Sequence, residues 1–156
     1  LAGWKIEIVG TDLSTEIIDR AKEGVYSQFE AQRGLPINLL VKYFTQTGDR
    51  WQINQKIRSM VQYREFNLLN DPRPLGRFDV VFIRNVLIYF DQPTKGKILN
   101  GISGLMPDDG FLFLGGAETV LGITDRFQLL AGQRGVYGLT GGGAAAAKPA
   151  TALRAH

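Results

Sequence analysis

Cysteine is absent from the 156 residues, and the single histidine is the last one, His156. The first absence removes disulfides and thiol nucleophiles. The second leaves no basis for a histidine triad or a histidine-based metal site. No apolar run reaches the roughly 18 residues that a membrane helix needs, and no basic-then-apolar leader pattern is visible. These features fit a cytoplasmic protein. Net charge is scarce as well, at +3. The basic residues are spread out, among them Arg58, Arg64, Lys95 and Lys97, which reads as a solvated surface and not as a nucleic-acid footprint. Neither a GxGxxG nor a GxxxxGK[ST] run occurs, so no dinucleotide or P-loop cradle is indicated by motif.

What is present is ordinary globular material, 44% apolar and 21% charged, enough for one domain with a core. "WKIEIVGTD" reads as a strand running into a tight turn, and "STEIIDRAKEG" as a helix that Ser14 caps and Gly24 stops. "LPINLLVKYF" offers a second helix starting near Pro36. From 44 to 65 the polarity is mixed, with Val61 and Tyr63 alternating with Gln62 and Arg64. That segment reads as two or three antiparallel strands of a small separate sheet. "RFDVVFI" reads as a fully buried strand, "DQPTKGKILNGISGLM" as a helix capped by Asp91, and "FLFLGG" as a second buried strand. "RFQLL" and "GVYGL" follow as a closing hairpin, and 141–156 is Gly/Ala-rich tail material with little to bury. Strands alternating with helices give an α/β fold with a mainly parallel sheet.

In such sheets ligands lie beyond the carboxyl ends of the strands. Asp12 ends the first strand, where a carboxylate can accept from a ribose diol or simply hold a turn. Asn67 and Leu68 follow the exposed strand and suit an adenine edge and face, or merely a loop start. Arg84, Asn85 and Tyr89 follow "FDVVFI" and are the most specific cluster. The bland account has Tyr89 packed on the sheet edge and Arg84 paired with Asp79 or Asp91. Gly115 and Gly116 read as a turn, and Glu118 as the cap of a following helix.

"VGTDLSTEIIDRAKEGVY", "VQYREFNLLNDP", "FDVVFIRNVLIYFDQPTKGKIL", "LMPDDGFLFLGGAE" and "RFQLL…GVYGL" together resemble the chemotaxis receptor methyltransferases of the CheR type. The resemblance covers 4–139, and its most specific part is the FxxxFxRNVxIYF pattern over 78–90. It implies a partial class I, Rossmann-like methyltransferase sheet with helices on both faces, over 1–43 and 66–140. A β-subdomain is inserted at 44–65. It further implies S-adenosylmethionine as cofactor, S-adenosylhomocysteine as product, and methyl transfer to glutamates on the cytoplasmic helices of bacterial chemoreceptors. Asp12 would hold the ribose hydroxyls, Asn67 and Leu68 the adenine end, and Arg84 and Asn85 the methionine part. Tyr89, with Arg84, would stand at the transferring methyl group. The β-subdomain docks a receptor C-terminal peptide in some members of the family.

The family's N-terminal helical domain and the first strand with its "TGEE"-type loop are not matched in this sequence, which starts at Leu1. The chain is therefore expected to be a fragment or truncated form, with activity in the intact protein and apolar sheet edges through which it could form oligomers. The competing expectation is a non-catalytic remnant that binds a receptor or another protein through the β-subdomain. Amino-directed nucleic-acid methyltransferases want Asn/Asp-Pro-Pro-Tyr/Phe where this chain reads Asn-Val-Leu-Ile-Tyr, which argues against them.

Overall fold

A computed structural model describes residues 3–143. Residues 144–156 of the Gly/Ala-rich segment lie outside the described residues, as does His156. The chain divides into two units, Leu1–Asn67 and Leu68–His156.

In the first unit β1 (Ile8–Asp12) leads into α1 (Thr15–Glu23). Ser14 starts the helix by accepting the Ile17 N–H on Oγ at 3.3 Å, which satisfies one of the helix's orphan donors. Gly24 ends it at φ 62, a left-handed conformation that costs glycine nothing. β2 (Val25–Ser27), α2 (Gln28–Gln32) and α3 (Ile37–Tyr43) follow. Ser27 and Glu30 form a reciprocal capping box at the start of α2. β3 (Phe44–Thr47), β4 (Arg50–Ile53), α4 (Gln55–Arg58) and β5 (Val61–Glu65) complete the unit. β2, β4 and β3 make an antiparallel sheet in that order. Its small core is Ala31, Leu40 and Trp51, packed by Tyr26, Leu35 and Phe44.

Two strand assignments differ from the sequence reading. β5 pairs in parallel with β1, from Ile8↔Val61 to Asp12↔Glu65, and is not part of the antiparallel sheet. The third strand of that sheet comes instead from Val25–Ser27, upstream of position 44. Alternating polarity shows that a strand is half exposed but not which neighbour it takes. The long connection from β1 to β5, which runs through α1 and the whole antiparallel sheet, is what permits a parallel pair.

The second unit holds β6 (Val80–Ile83), α5 (Gln92–Ser103), β7 (Phe111–Leu114), β8 (Phe127–Leu129) and β9 (Val136–Leu139). The sheet order is β6-β7-β9-β8. β6 and β7 run parallel, in register from Val80↔Phe111 to Ile83↔Leu114. β9 runs antiparallel to both β7 and β8, as expected of a closing hairpin. Asp91 caps α5 by accepting the Thr94 N–H at 2.9 Å. Ile98, Leu99 and Ile102 of α5 pack with Ile83, Leu112, Leu114, Phe127 and Tyr137 in one core.

β6 is not the two-sided buried strand its composition suggests. Ile83 is buried, but Val80 is 45% and Phe82 68% exposed, with Phe82 stacked on Phe113 at 4.7 Å between ring centroids. An unbroken apolar run reads as burial on both faces. Among the described residues of this unit, however, α5 is the only α-helix, and it covers one face. Among the described residues β6 also lies at a sheet edge, bonded to β7 alone.

Leu99 is fully buried. Leu99→Ala is expected to lower unfolding free energy by about 2–5 kcal/mol, measured by urea denaturation. The exposed Leu121 changed to Ser should stay within about 0.5 kcal/mol of the unaltered chain.

Candidate active site

After Ile83 the chain turns sharply. Asn85 has φ 61 and is the only non-glycine residue with positive φ among those described. Asparagine tolerates this region better than most side chains. Val86 returns to the right-handed region, and a 3-10 turn over Leu87–Tyr89 follows. A left-handed residue followed by a right-handed one points successive N–H groups at one place, a concavity that takes an anion.

The anion is Glu118. Its Oε2 accepts the N–H of Asn85 at 2.8 Å and of Gly115 at 2.7 Å, and its Oε1 those of Val86 at 2.9 Å and Leu87 at 2.7 Å. The residue is 9% exposed, and no cation pairs with it among the described residues. Burial pushes its carboxyl upward. The N–H groups of Asn85, Gly115, Val86 and Leu87 outweigh that and hold it below its ordinary value. Glu118 is therefore ionised at neutral pH and does not cap a helix. It binds the exit of β6 to the exit of β7.

Gly115 is required at this junction. A Cβ there would collide with Asn85 Oδ1 and stand 2.7 Å from Glu118 Oε2 and 2.9 Å from the Asn85 nitrogen.

The turn presents three polar side chains. Arg84 and Asn85 are exposed, and Tyr89 is 81% exposed. Among the described residues Arg84 forms an ion pair with neither Asp79 nor Asp91, and Asp91 caps α5 through Oδ1. Tyr89 does not pack on the sheet edge. Leu87, 1% exposed, anchors the segment in the core instead.

In the first unit, Asp12 Oδ1 accepts the Ser14 N–H at 2.8 Å, while Oδ2 has no hydrogen bond among the described residues. The turn role and a ligand role are thus compatible, one oxygen for each. The parallel pairing of β1 with β5, extended by the Phe66 N–H to the Asp12 carbonyl at 2.9 Å, brings Asp12 and the segment entering Asn67 to the same strand ends. Asn67 is half-buried. Leu68, which opens the second unit, packs against that unit's core, a role the sequence reading had not given it.

The family model described as CheR methyltransferase, SAM binding domain, matches residues 1–136. The chain belongs to this family. It is 42% identical over 125 residues to the Chemotaxis protein methyltransferase Cher2 of Pseudomonas putida, covering 80% of this chain and 46% of that protein. It is 42% identical over 126 residues to Chemotaxis protein methyltransferase 1 of Pseudomonas aeruginosa, with the same coverage. The Chemotaxis protein methyltransferase of Borreliella burgdorferi is 33% identical over 121 residues, covering 76% of this chain and 42% of that protein. The chain spans about half the length of the curated relatives it matches. The cofactor of a CheR SAM-binding domain is S-adenosylmethionine, and the mixed α/β fold is consistent with a Rossmann-like methyltransferase. No helix among the described residues is long and apolar enough to cross a membrane.

Glu118 is the residue that sequence reasoning misjudged. The available signal was a carboxylate three residues beyond Gly115, after a buried strand and without a basic neighbour.

Two outcomes follow from this junction. Gly115→Ala should cost about 1–3 kcal/mol through overpacking, seen as a lowered denaturation midpoint. The lowered carboxyl of Glu118 makes its contribution to stability fully present above its ordinary value of 4.5. That contribution disappears as pH falls through the lower folded-state value. Thermal unfolding followed into acid should show Glu118→Gln losing less stability than the unaltered chain over this range.

Proposed function

We propose that this chain carries the S-adenosylmethionine site of a cytoplasmic protein-glutamate O-methyltransferase acting on bacterial chemoreceptors. The supporting observation is the turn after β6, where Arg84, Asn85 and Tyr89 stand exposed without hydrogen bonds of their own side chains among the described residues.

The residues suit this cofactor. The anion-binding concavity at the end of β6 is filled by Glu118, so this turn offers no free cradle for a phosphate, which agrees with a cofactor that carries none. The cofactor, when bound, supplies a methyl group made electrophilic by its sulfonium. Asp12 accepts from the ribose hydroxyls through Oδ2, and Asn67 and Leu68 contact the adenine end. Asn85 and Arg84 hold the polar groups of the methionine part. Tyr89 orients the acceptor carboxylate by donating a hydrogen bond. A substrate glutamate, with a pKa near 4.3, is ionised at neutral pH, so no general base has to take a proton. The work left to these side chains is alignment.

We further propose that the outer edge of β3 accepts a receptor C-terminal peptide as an added strand. Among the described residues β3, like β2 on the other side of the sheet, is bonded to β4 alone, which leaves one edge open, and β3 is the edge that lies within 44–65. Titration of such a peptide should shift backbone amides of β3. Shifts confined to other elements would count against this mode.

The main reading is tested by calorimetric titration of S-adenosylhomocysteine into this chain and its Asp12→Ala variant. Binding in the micromolar range, weakened about tenfold or more by the substitution, is expected. Equal affinities would remove Asp12 from the site. In the intact protein, Tyr89→Phe should reduce kcat about tenfold or more with cofactor affinity little changed. Equal losses in both would remove the orienting role.

A further inference from the structure

We infer that Glu118 is a positioning residue: its carboxylate fixes the backbone turn that presents Arg84, Asn85 and Tyr89, and so sets the cofactor site without touching the cofactor. The inference rests on the reading of those three residues as site residues.

The geometry is specific. Three of the four N–H groups that Glu118 accepts belong to consecutive residues 85–87, and two of the three presented side chains sit on that stretch or immediately before it. The fourth, from Gly115, ties the turn to the strand paired with β6. Both carboxylate oxygens each receive two donors, and no cation competes for them among the described residues. An ionised carboxylate is costly to bury unless its acceptor capacity is filled, and here backbone donors alone fill it. An apolar residue at 118 would leave four N–H groups without that acceptor. Asn85 is also held at positive φ, which a non-glycine residue keeps only where its surroundings over-determine it. Its N–H bond to Glu118 is one such restraint, and the absence of a side chain at Gly115 is another. A turn held this way loses little freedom when a ligand arrives.

Glu118→Gln is the decisive change. One oxygen becomes an NH2 group facing either the Asn85/Gly115 pair or the Val86/Leu87 pair of donors, so two of the four bonds are lost while volume is conserved. Ile102→Ala, in the core contributed by α5, serves as the control, since it lowers stability without altering the turn. Amide exchange by NMR at Asn85, Val86, Leu87 and Gly115 and calorimetric affinity for S-adenosylhomocysteine are measured for each.

In Glu118→Gln, at least one donor pair should exchange about tenfold or more faster than in Ile102→Ala, with affinity reduced about tenfold or more. Ile102→Ala should keep the affinity of the unaltered chain. Combining Glu118→Gln with Asn85→Ala should weaken binding by less than the sum of the two single losses, because part of the effect of Glu118 runs through Asn85. Unchanged exchange and affinity in Glu118→Gln, or fully additive losses in the double variant, would overturn the inference. If the unaltered chain binds no S-adenosylhomocysteine, the cofactor reading falls, and the amide data alone decide whether Glu118 sets the turn. Should Glu118→Gln not fold, Glu118→Asp keeps the charge, withdraws it by one methylene, and is judged by the same readouts.

Discussion

A carboxylate with no cationic partner among the described residues, 9% exposed and surrounded by backbone donors, organises the second unit at the exits of β6 and β7. Hydrogen bonds to a charged acceptor are stronger than neutral ones, and here they are made by groups that the turn would otherwise leave unpaired. The apolar core fixes where β6 and β7 lie, through Ile83, Leu112 and Leu114 against α5. It does not dictate the path of the chain beyond Ile83. That path is decided by polar satisfaction, and the result is an asparagine in a conformation that most side chains avoid.

The first unit solves a similar problem with weaker means. Asp12 stabilises the turn after β1 through one oxygen, and the pairing of β1 with β5 sets the level at which the segment toward Asn67 emerges. Both candidate regions thus follow one rule, in which a strand's register delivers the residue and a short-range polar contact orients it. Helix caps supply the remaining order: Ser14, Ser27 and Asp91 each accept a backbone N–H at the start of the next helix.

Much of this was legible in the sequence, for identifiable reasons. α1 and α5 announce themselves through a capping residue followed by helical apolar spacing, and the closing β8–β9 hairpin through two short β-rich runs. The partner of β5 was not legible, because the alternation of Val61 and Tyr63 with Gln62 and Arg64 is the same for parallel and antiparallel neighbours. The open face of β6 was not legible either, since the greasiness of "RFDVVFI" says nothing about which helices are present to cover it. At the candidate site, residue types marked out Arg84, Asn85 and Tyr89, together with the family pattern. Glu118 escaped because its role depends on a backbone concavity formed over thirty positions away in the chain, and no local spacing rule encodes that.

Asn85, Gly115 and Glu118 also constrain one another's substitution. A side chain at 115 runs into the other two, a bulkier residue at 85 meets the same wall, and a shorter or neutral one at 118 strands the donors that both supply. Any replacement at one of these positions therefore passes through a strained or unsatisfied intermediate unless the others change with it. Ile88, which is exposed on the same segment, carries no such restriction from the backbone. The segment can therefore vary at that exposed position while its base stays fixed, over a frame that single steps cannot easily rebuild.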